Sequence, residues 1–274
     1  MPANKNTKNK KGSKSIGVFD SGVGGLSILK ELQKTLPNEN FVFLADQKYV
    51  PYGEKSKKEL IKLVYRITDY FIEHHNIKMM VVACNTATCG TINELREKYS
   101  FPIIGTVPAI KVAAEKTRSG TIAVISTPST SQSEALKDLI RDNCENLEVL
   151  NIDCKNLENA VETGNFDNPN IDNLLLKYLE KIKNSDADYL VLGCTHYPFL
   201  KKSIRKIVGS RVKLLDSGKA ISRHTSSLLK NKFMKNAQKK LGKNKYFTTG
   251  DSKEFSKVAS ILLNKKIKTK GVKI

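Results

Sequence analysis

Two cysteines in matched surroundings are the residues of this chain best placed to do chemistry. Met79-Met80-Val81-Val82-Ala83 is an uncharged run that stops on Cys84, and Asn85-Thr86-Ala87-Thr88 follows. Tyr189-Leu190-Val191-Leu192-Gly193 stops on Cys194 in the same way, and Thr195-His196-Tyr197-Pro198 follows. Short apolar runs of this kind read as strands buried on both faces of a parallel sheet. Ligands of open α/β sheets bind outside the carboxyl ends of the strands. Each thiol is therefore expected at a strand end, among small groups that can hydrogen-bond a polar substrate.

Four roles for the pair compete. Core packing suits either cysteine, since the free thiol is among the most buried side chains. It does not foresee two of them at strand ends, each trailed by polar residues. Structural zinc needs ligands at short paired spacings, which Cys84 with Cys89, or Cys194 with His196, match poorly. A single nucleophilic cysteine with a histidine base leaves the second thiol idle. Two-base proton transfer employs both: one thiolate removes a proton from carbon while the other thiol delivers one to the opposite face. A free thiol has a pKa of about 8.5, so each would profit from a helper. Asp20 is placed for Cys84 and His196 for Cys194.

The elements that must carry these groups can be read off the apolar pattern. Ile16–Phe19 is a strand running into Asp20-Ser21-Gly22-Val23-Gly24-Gly25, and a helix begins near Leu26. The glycine-rich turn permits close backbone approach, but it has neither the Walker lysine nor the G-x-G-x-x-G spacing of a nucleotide site. Ile122–Ile125 running into Ser126-Thr127 repeats the arrangement. Ile16 precedes Cys84 by 68 positions and Ile122 precedes Cys194 by 72. The chain thus reads as α/β, with two related lobes in a pseudo-twofold relation and largely parallel sheets; if the lobes face each other across a cleft, the thiols sit on opposite sides of one ligand. Further strands are expected at Phe41–Ala45, Pro102–Ile104, Leu147–Leu150, Val212–Leu215 and Tyr246–Thr248. Helices are expected at 55–75, Thr91–Lys98, Ser133–Asn143, Ile171–Lys183 and Leu200–Val208. Val50-Pro51-Tyr52-Gly53-Glu54 is a rigid turn. His74 and His75 are expected exposed at a helix end. Glu162, in Val161-Glu162-Thr163-Gly164, either faces the cleft or is solvated.

At 274 residues, with 39% hydrophobic and 7% aromatic residues, the composition fits a soluble protein with two lobes of ordinary size. No stretch nears the roughly 18 apolar residues of a membrane span, and no apolar segment follows the basic N-terminus. Five cysteines without framework spacing point to reduced thiols and a cytoplasmic location. The net charge of +20 is uneven. Residues 1–15 carry five lysines, residues 16–195 are net −4, and residues 196–274 are net +19. Residues 1–14, nearly free of apolar side chains, are expected disordered. The basic last third raises nucleic-acid binding, against solvated helix faces. It carries no reading motif, so any such binding is expected to be weak. With so many lysines, composition leaves a Schiff-base lysine open.

Taken together, several motifs resemble those of the cofactor-independent glutamate racemases. They are Phe19-Asp20-Ser21-Gly22-Val23-Gly24-Gly25-Leu26, Asp46 with Pro51-Tyr52-Gly53, Ala83-Cys84-Asn85-Thr86-Ala87-Thr88, Gly193-Cys194-Thr195-His196-Tyr197-Pro198, Asp216-Ser217-Gly218 and Thr248-Thr249-Gly250-Asp251. The match runs in order from about Ile16 to Leu263. His196 stands where the related aspartate racemases usually carry a glutamate. The resemblance implies a first lobe of residues 15–105 completed by 217–274, a second of 106–216, and an active site in the cleft between them. It implies interconversion of L- and D-glutamate without a cofactor or metal, supplying D-glutamate for peptidoglycan, by a homodimer. Cys84 would take the proton from the D-isomer and Cys194 from the L-isomer. Asp20, His196 and Glu162 match the assisting residues. Ser21, Tyr52, Gly53, Asn85, Thr86 and Thr195, with Asp20 and His196, correspond to substrate contacts. Thr130 belongs to a loop, Ser126-Thr127-Pro128-Ser129-Thr130, that keeps the family's threonines and lacks its two glycines.

Overall fold

The computed structural model describes residues 12–165 and 169–274. In chain order the elements are β1 (Ile16–Asp20), α1 (Leu26–Thr35), β2 (Phe41–Ala45), α2 (Lys57–His75), β3 (Met79–Val82), α3 (Asn85–Lys98), β4 (Ile103–Gly105) and α4 (Ile110–Ala114). There follow β5 (Thr121–Ser126), α5 (Pro128–Ser131), α6 (Glu134–Asn143), β6 (Glu148–Asp153), α7 (Leu157–Glu162), α8 (Pro169–Lys183), β7 (Tyr189–Leu192), α9 (Lys201–Val208) and β8 (Lys213–Leu215). The chain ends with α10 (Gly218–Asn231), β9 (Asn244–Thr248), α11 (Ser252–Leu263) and β10 (Thr269–Gly271). Among these described residues no helix is long and apolar enough to cross a membrane.

All strand pairs are parallel, in two sheets ordered β10-β9-β2-β1-β3-β4 and β6-β5-β7-β8. Strip β9 and β10 from the first and both sheets have the same order: second strand, first, third, fourth. Helices cover both faces, which is why the central strands carry unbroken apolar runs. β1, β2, β3, β5 and β7 are buried along their whole length, whereas edge strands β6, β8 and β10 alternate or are exposed. The two sheets thus make the two-lobed α/β fold that the apolar pattern foresees.

The echo between the halves is one of register. Ile16 lies opposite Met79 in one sheet and Ile122 opposite Tyr189 in the other. Cys84 and Cys194 each follow those partners by five residues, so both thiols leave their sheets at the same point.

Local chemistry starts the helices. Ser56 and Glu59 form a reciprocal capping box on α2. Ser133 caps α6 and Asp251 caps α11 with their side chains. Helix α3 begins at Asn85, six residues before the expected Thr91, because the Cys84 sulfur accepts the Ala87 N–H at 3.4 Å and nucleates the first turn. His75 is half-buried, its ring 4.8 Å from that of Phe247, so only His74 is as exposed as expected.

Residues 12–14, grouped by composition with a disordered tail, are held by the fold. The Gly12 carbonyl accepts from Lys78, the Ser13 carbonyl from Asn40, and Lys14 donates to Asn76. The rest of that expected tail, residues 1–11, lies outside the described residues.

Candidate active site

Cys84 leaves β3 with its neighbour anchored, the Ala83 N–H donating to the Phe19 carbonyl at 2.7 Å. The thiol is 5% exposed, and the Ser21 hydroxyl is 3.6 Å from its sulfur. Its place at the start of α3 favours a thiolate. Burial opposes this and is the stronger effect; with the Asp20 carboxylate adding to it, the pKa is driven well above the usual thiol range.

Cys194 stands differently. The Gly193 N–H donates to the Ile125 carbonyl at 2.8 Å, and the Cys194 sulfur is 3.5 Å from His196 Nδ1. The other ring nitrogen, Nε2, is 2.6 Å from Glu162 Oε1. Burial works against a charged imidazole here, but Cys194 and Glu162 together outweigh it and hold the His196 pKa well above its ordinary value. Burial alone would raise Glu162 as well. Hydrogen bonds from His196, from Gln47 Nε2 at 2.9 Å and from the Val23 N–H at 2.7 Å instead bring it below its ordinary value. Gln47 and Val23 belong to the first lobe and Glu162 to the second, so the carboxylate that orients His196 is itself gripped across the cleft.

Asp20 closes a second cross-lobe link. Its Oδ1 accepts the Gly22 N–H at 2.9 Å and its Oδ2 accepts the Thr195 hydroxyl at 3.0 Å. The side chain is fully buried, and that burial lifts its pKa to about 6 against the pull of His196.

Both thiols border one pocket. Ser21, Tyr52, Gly53, Cys84, Asn85, Thr86, Cys194, Thr195 and His196 line it, together with Val50, Pro51, Thr127 and Glu158. Nine of the sequence-predicted residues thus meet at one cavity. Asp20, Glu162 and Thr130 do not line it. Asp20 and Glu162 stand one layer behind, on Thr195 and His196. Thr130 is buried within a three-hydroxyl cluster, 3.2 Å from Thr86 Oγ1 and 3.1 Å from Thr127 Oγ1. Of that loop it is Thr127, the cap of α5, that reaches the cavity.

Sequence reasoning missed some members. Asp46 fixes Tyr52, accepting its hydroxyl at 2.7 Å and that of Thr249 at 2.8 Å. Gln47 holds Glu162. Glu158 lines the cavity itself, and its spacing of four from Glu162 on α7 was a readable signal, since such pairs share a helix face. Among the described residues, no lysine lines the cavity. Lys78, buried, precedes β3 at the end opposite Cys84 and is paired with Glu39 at 2.6 Å.

The chain as a whole is similar to known proteins. Residues 24–225 match the family model described as Asp/Glu/Hydantoin racemase. The glutamate racemase of Pseudomonas syringae pv. tomato is 43% identical over 215 residues, covering 78% of this chain and 78% of that protein. The crystal structure of glutamate racemase isoform RacE1 from Bacillus anthracis superposes with a TM-score of 0.89 at 32% identity, over 96% of this chain and 98% of that one. The Francisella tularensis glutamate racemase, crystallised with D-glutamate, gives a TM-score of 0.82 at 30% identity over 95% of this chain and 98% of that one. With two parallel sheets in matching order, a cysteine leaving each sheet at the same register and these relatives along most of its length, the chain belongs to the Asp/Glu racemase family and, within it, to the glutamate racemases.

Proposed function

We propose that this racemase inverts the α-carbon of glutamate by two-base proton transfer between Cys84 and Cys194. The observation that carries the reading is that both thiols border one cavity from equivalent strand ends of the two lobes. With L-glutamate bound, the Cys194 thiolate takes the α-proton and the Cys84 thiol delivers its own to the opposite face, yielding D-glutamate and exchanged protonation states. The D-isomer runs the same steps backwards. Burial and Asp20 keep Cys84 a thiol, the form in which it delivers a proton when L-glutamate is the substrate. As negative charge spreads from the α-carbon into the carboxylate, the start of α3 at Asn85 and Thr86 offers N–H groups and the positive end of the helix dipole.

The proposal extends to a first lobe of 15–105 with 217–274 and a second of 106–216. It is supported by β9 pairing with β2 and by α10 packing on α1. It includes a cytoplasmic homodimer that supplies D-glutamate for peptidoglycan. The test is incubation of either enantiomer in deuterated water with purified protein and no pyridoxal phosphate, following optical rotation and loss of the α-hydrogen. Wild type should racemise and exchange. Cys84→Ala and Cys194→Ala should each be inactive yet folded, and their mixture should stay inactive. Near-normal turnover by either variant would sink the two-thiol mechanism.

A further inference from the structure

Four carboxyl groups gather around the cavity, and three already have their oxygens engaged. Asp20 accepts from Gly22 and Thr195, Glu162 from Val23, His196 and Gln47, and Asp46 from Tyr52 and Thr249. Glu158 differs. It is 9% exposed, it lines the cavity, and its buried Oε2 has no hydrogen-bond partner among the described residues. Leaving a buried acceptor unmade is costly, so a pocket that keeps one is matched to a donor that arrives with the ligand. The cavity's other polar groups, among them Ser21, Asn85, Thr86 and Thr195, provide hydroxyl and amide donors suited to carboxylates. An amino acid also brings a cation, and apart from the two thiols engaged in proton transfer no other lining group among the described residues is an anion that could answer it.

We propose that Glu158 is a further substrate-binding residue, whose carboxylate accepts the α-ammonium group of the amino acid. The assignment rests on the racemase reading above and adds to it a determinant that distinguishes an amino acid from the corresponding dicarboxylate. The charged and titratable groups facing Glu158 are His196, Glu54 of the Tyr52–Glu54 turn, Glu162 one turn along its own helix, and Cys154, Tyr178 and Tyr197. Burial raises its pKa above the ordinary glutamate value, with Glu54 and Glu162 adding to it and His196 opposing. In the empty site, acid therefore protonates Glu158 earlier than it would a free glutamate and removes the acceptor. KM for glutamate should rise as pH falls toward that pKa.

The experiment compares wild type, Glu158→Gln and Glu158→Asp, measuring kcat and KM for glutamate across pH and the inhibition constant of glutarate, which lacks the ammonium group. Hydrogen bonds to charged groups are worth roughly a tenfold to hundredfold change in affinity. Glu158→Gln should raise KM by about that factor, with kcat within a few-fold of wild type. The glutarate constant should be unchanged or lowered, which also reports an intact site. The acid-side rise in KM should vanish in Glu158→Gln and persist in Glu158→Asp. If KM and the glutarate constant move together, if neither moves, or if the acid-side rise survives in Glu158→Gln, the assignment is wrong while the racemase reading stands. If wild type does not racemise glutamate at all, that reading fails and the assignment with it.

Discussion

At the scale of single residues, the site is built from groups held away from their ordinary protonation, and Asp20 shows the consequence for stability. In the unfolded chain an aspartate titrates near 3.9; in the fold burial lifts Asp20 to about 6. Below the lower value both states carry the proton and no stability is lost. As pH rises through the window the unfolded chain ionises first, so stability falls by about 3 kcal/mol before levelling off near neutrality. Asp20→Asn removes that slope. Denaturant titrations should show the variant gaining about 3 kcal/mol over wild type between pH about 4 and pH about 7, while its turnover falls. A stability difference that does not change with pH would show that Asp20 is not held raised in the fold.

At the scale of elements, the glycine-rich turn after β1 is explained by what it touches. A Cβ on Gly24 would lie 2.5 Å from His196 Nδ1 and 2.6 Å from Thr195 Oγ1, and one on Gly22 would run into the Glu162 carboxylate. The turn is the surface against which the second lobe's catalytic candidates are pressed. Gly24→Ala should force His196 off Cys194, and displacements of about 1 Å near reacting groups can cost on the order of a hundredfold in rate. Its stability should drop by only about 1–3 kcal/mol, as for modest overpacking. Normal kcat in that variant would refute the packing argument. A second junction is structural. Lys78 donates to Glu39, to the Gly12 carbonyl at 2.5 Å and to the Met234 carbonyl at 2.8 Å, tying the N-terminal residues and the segment after α10 to the lower end of β3. Lys78→Met leaves Glu39 buried and uncompensated, which should cost about 3–5 kcal/mol in urea denaturation. Lys78→Met with Glu39→Leu should recover much of that loss. Additive losses in the double variant would mean the pair is not coupled.

At the scale of the whole molecule, the charge is segregated from the chemistry. The net +19 of residues 196–274 falls largely on α9, α10, α11, β9 and the segments joining them, away from the cleft. Scattered lysines of this kind attract polyanions through counterion release, with log K falling by about 0.9 per phosphate neutralised on duplex DNA. Single-strand readers also need aromatic platforms along a groove, and the basic region has no such array in its sequence. Duplex DNA should therefore bind weakly at low salt and not measurably near 150 mM, on the order of physiological ionic strength. Deleting residues 1–11, short of the segment Gly12–Lys14 that the fold holds, should leave racemisation unchanged. Sub-micromolar DNA affinity at that salt would assign the basic surface a second role.

By itself the sequence determined what depends on local periodicity and on residue type. Unbroken apolar runs marked β1, β2, β3, β5 and β7 to within about a residue at each end, because strands buried on both faces leave that imprint. The spacing of Cys84 and Cys194 from Ile16 and Ile122 disclosed the repeat, because the same register recurs in both sheets. Other features were decided only by the tertiary structure. Strand β10, Thr269-Lys270-Gly271, was not legible, since an exposed edge carries no apolar pattern. The first turn of α3 was hidden in Asn85-Thr86-Ala87-Thr88-Cys89-Gly90, where all but Ala87 are weak helix formers and a cap from Cys84 holds the turn in place. The partners of the acids were hidden as well. Val23 meets Glu162 across 139 positions and Asp20 meets Thr195 across 175. No local pattern encodes such pairs, because they exist only once two separately formed sheets close on one another. The same closure left Glu158 on the cavity with an oxygen unclaimed.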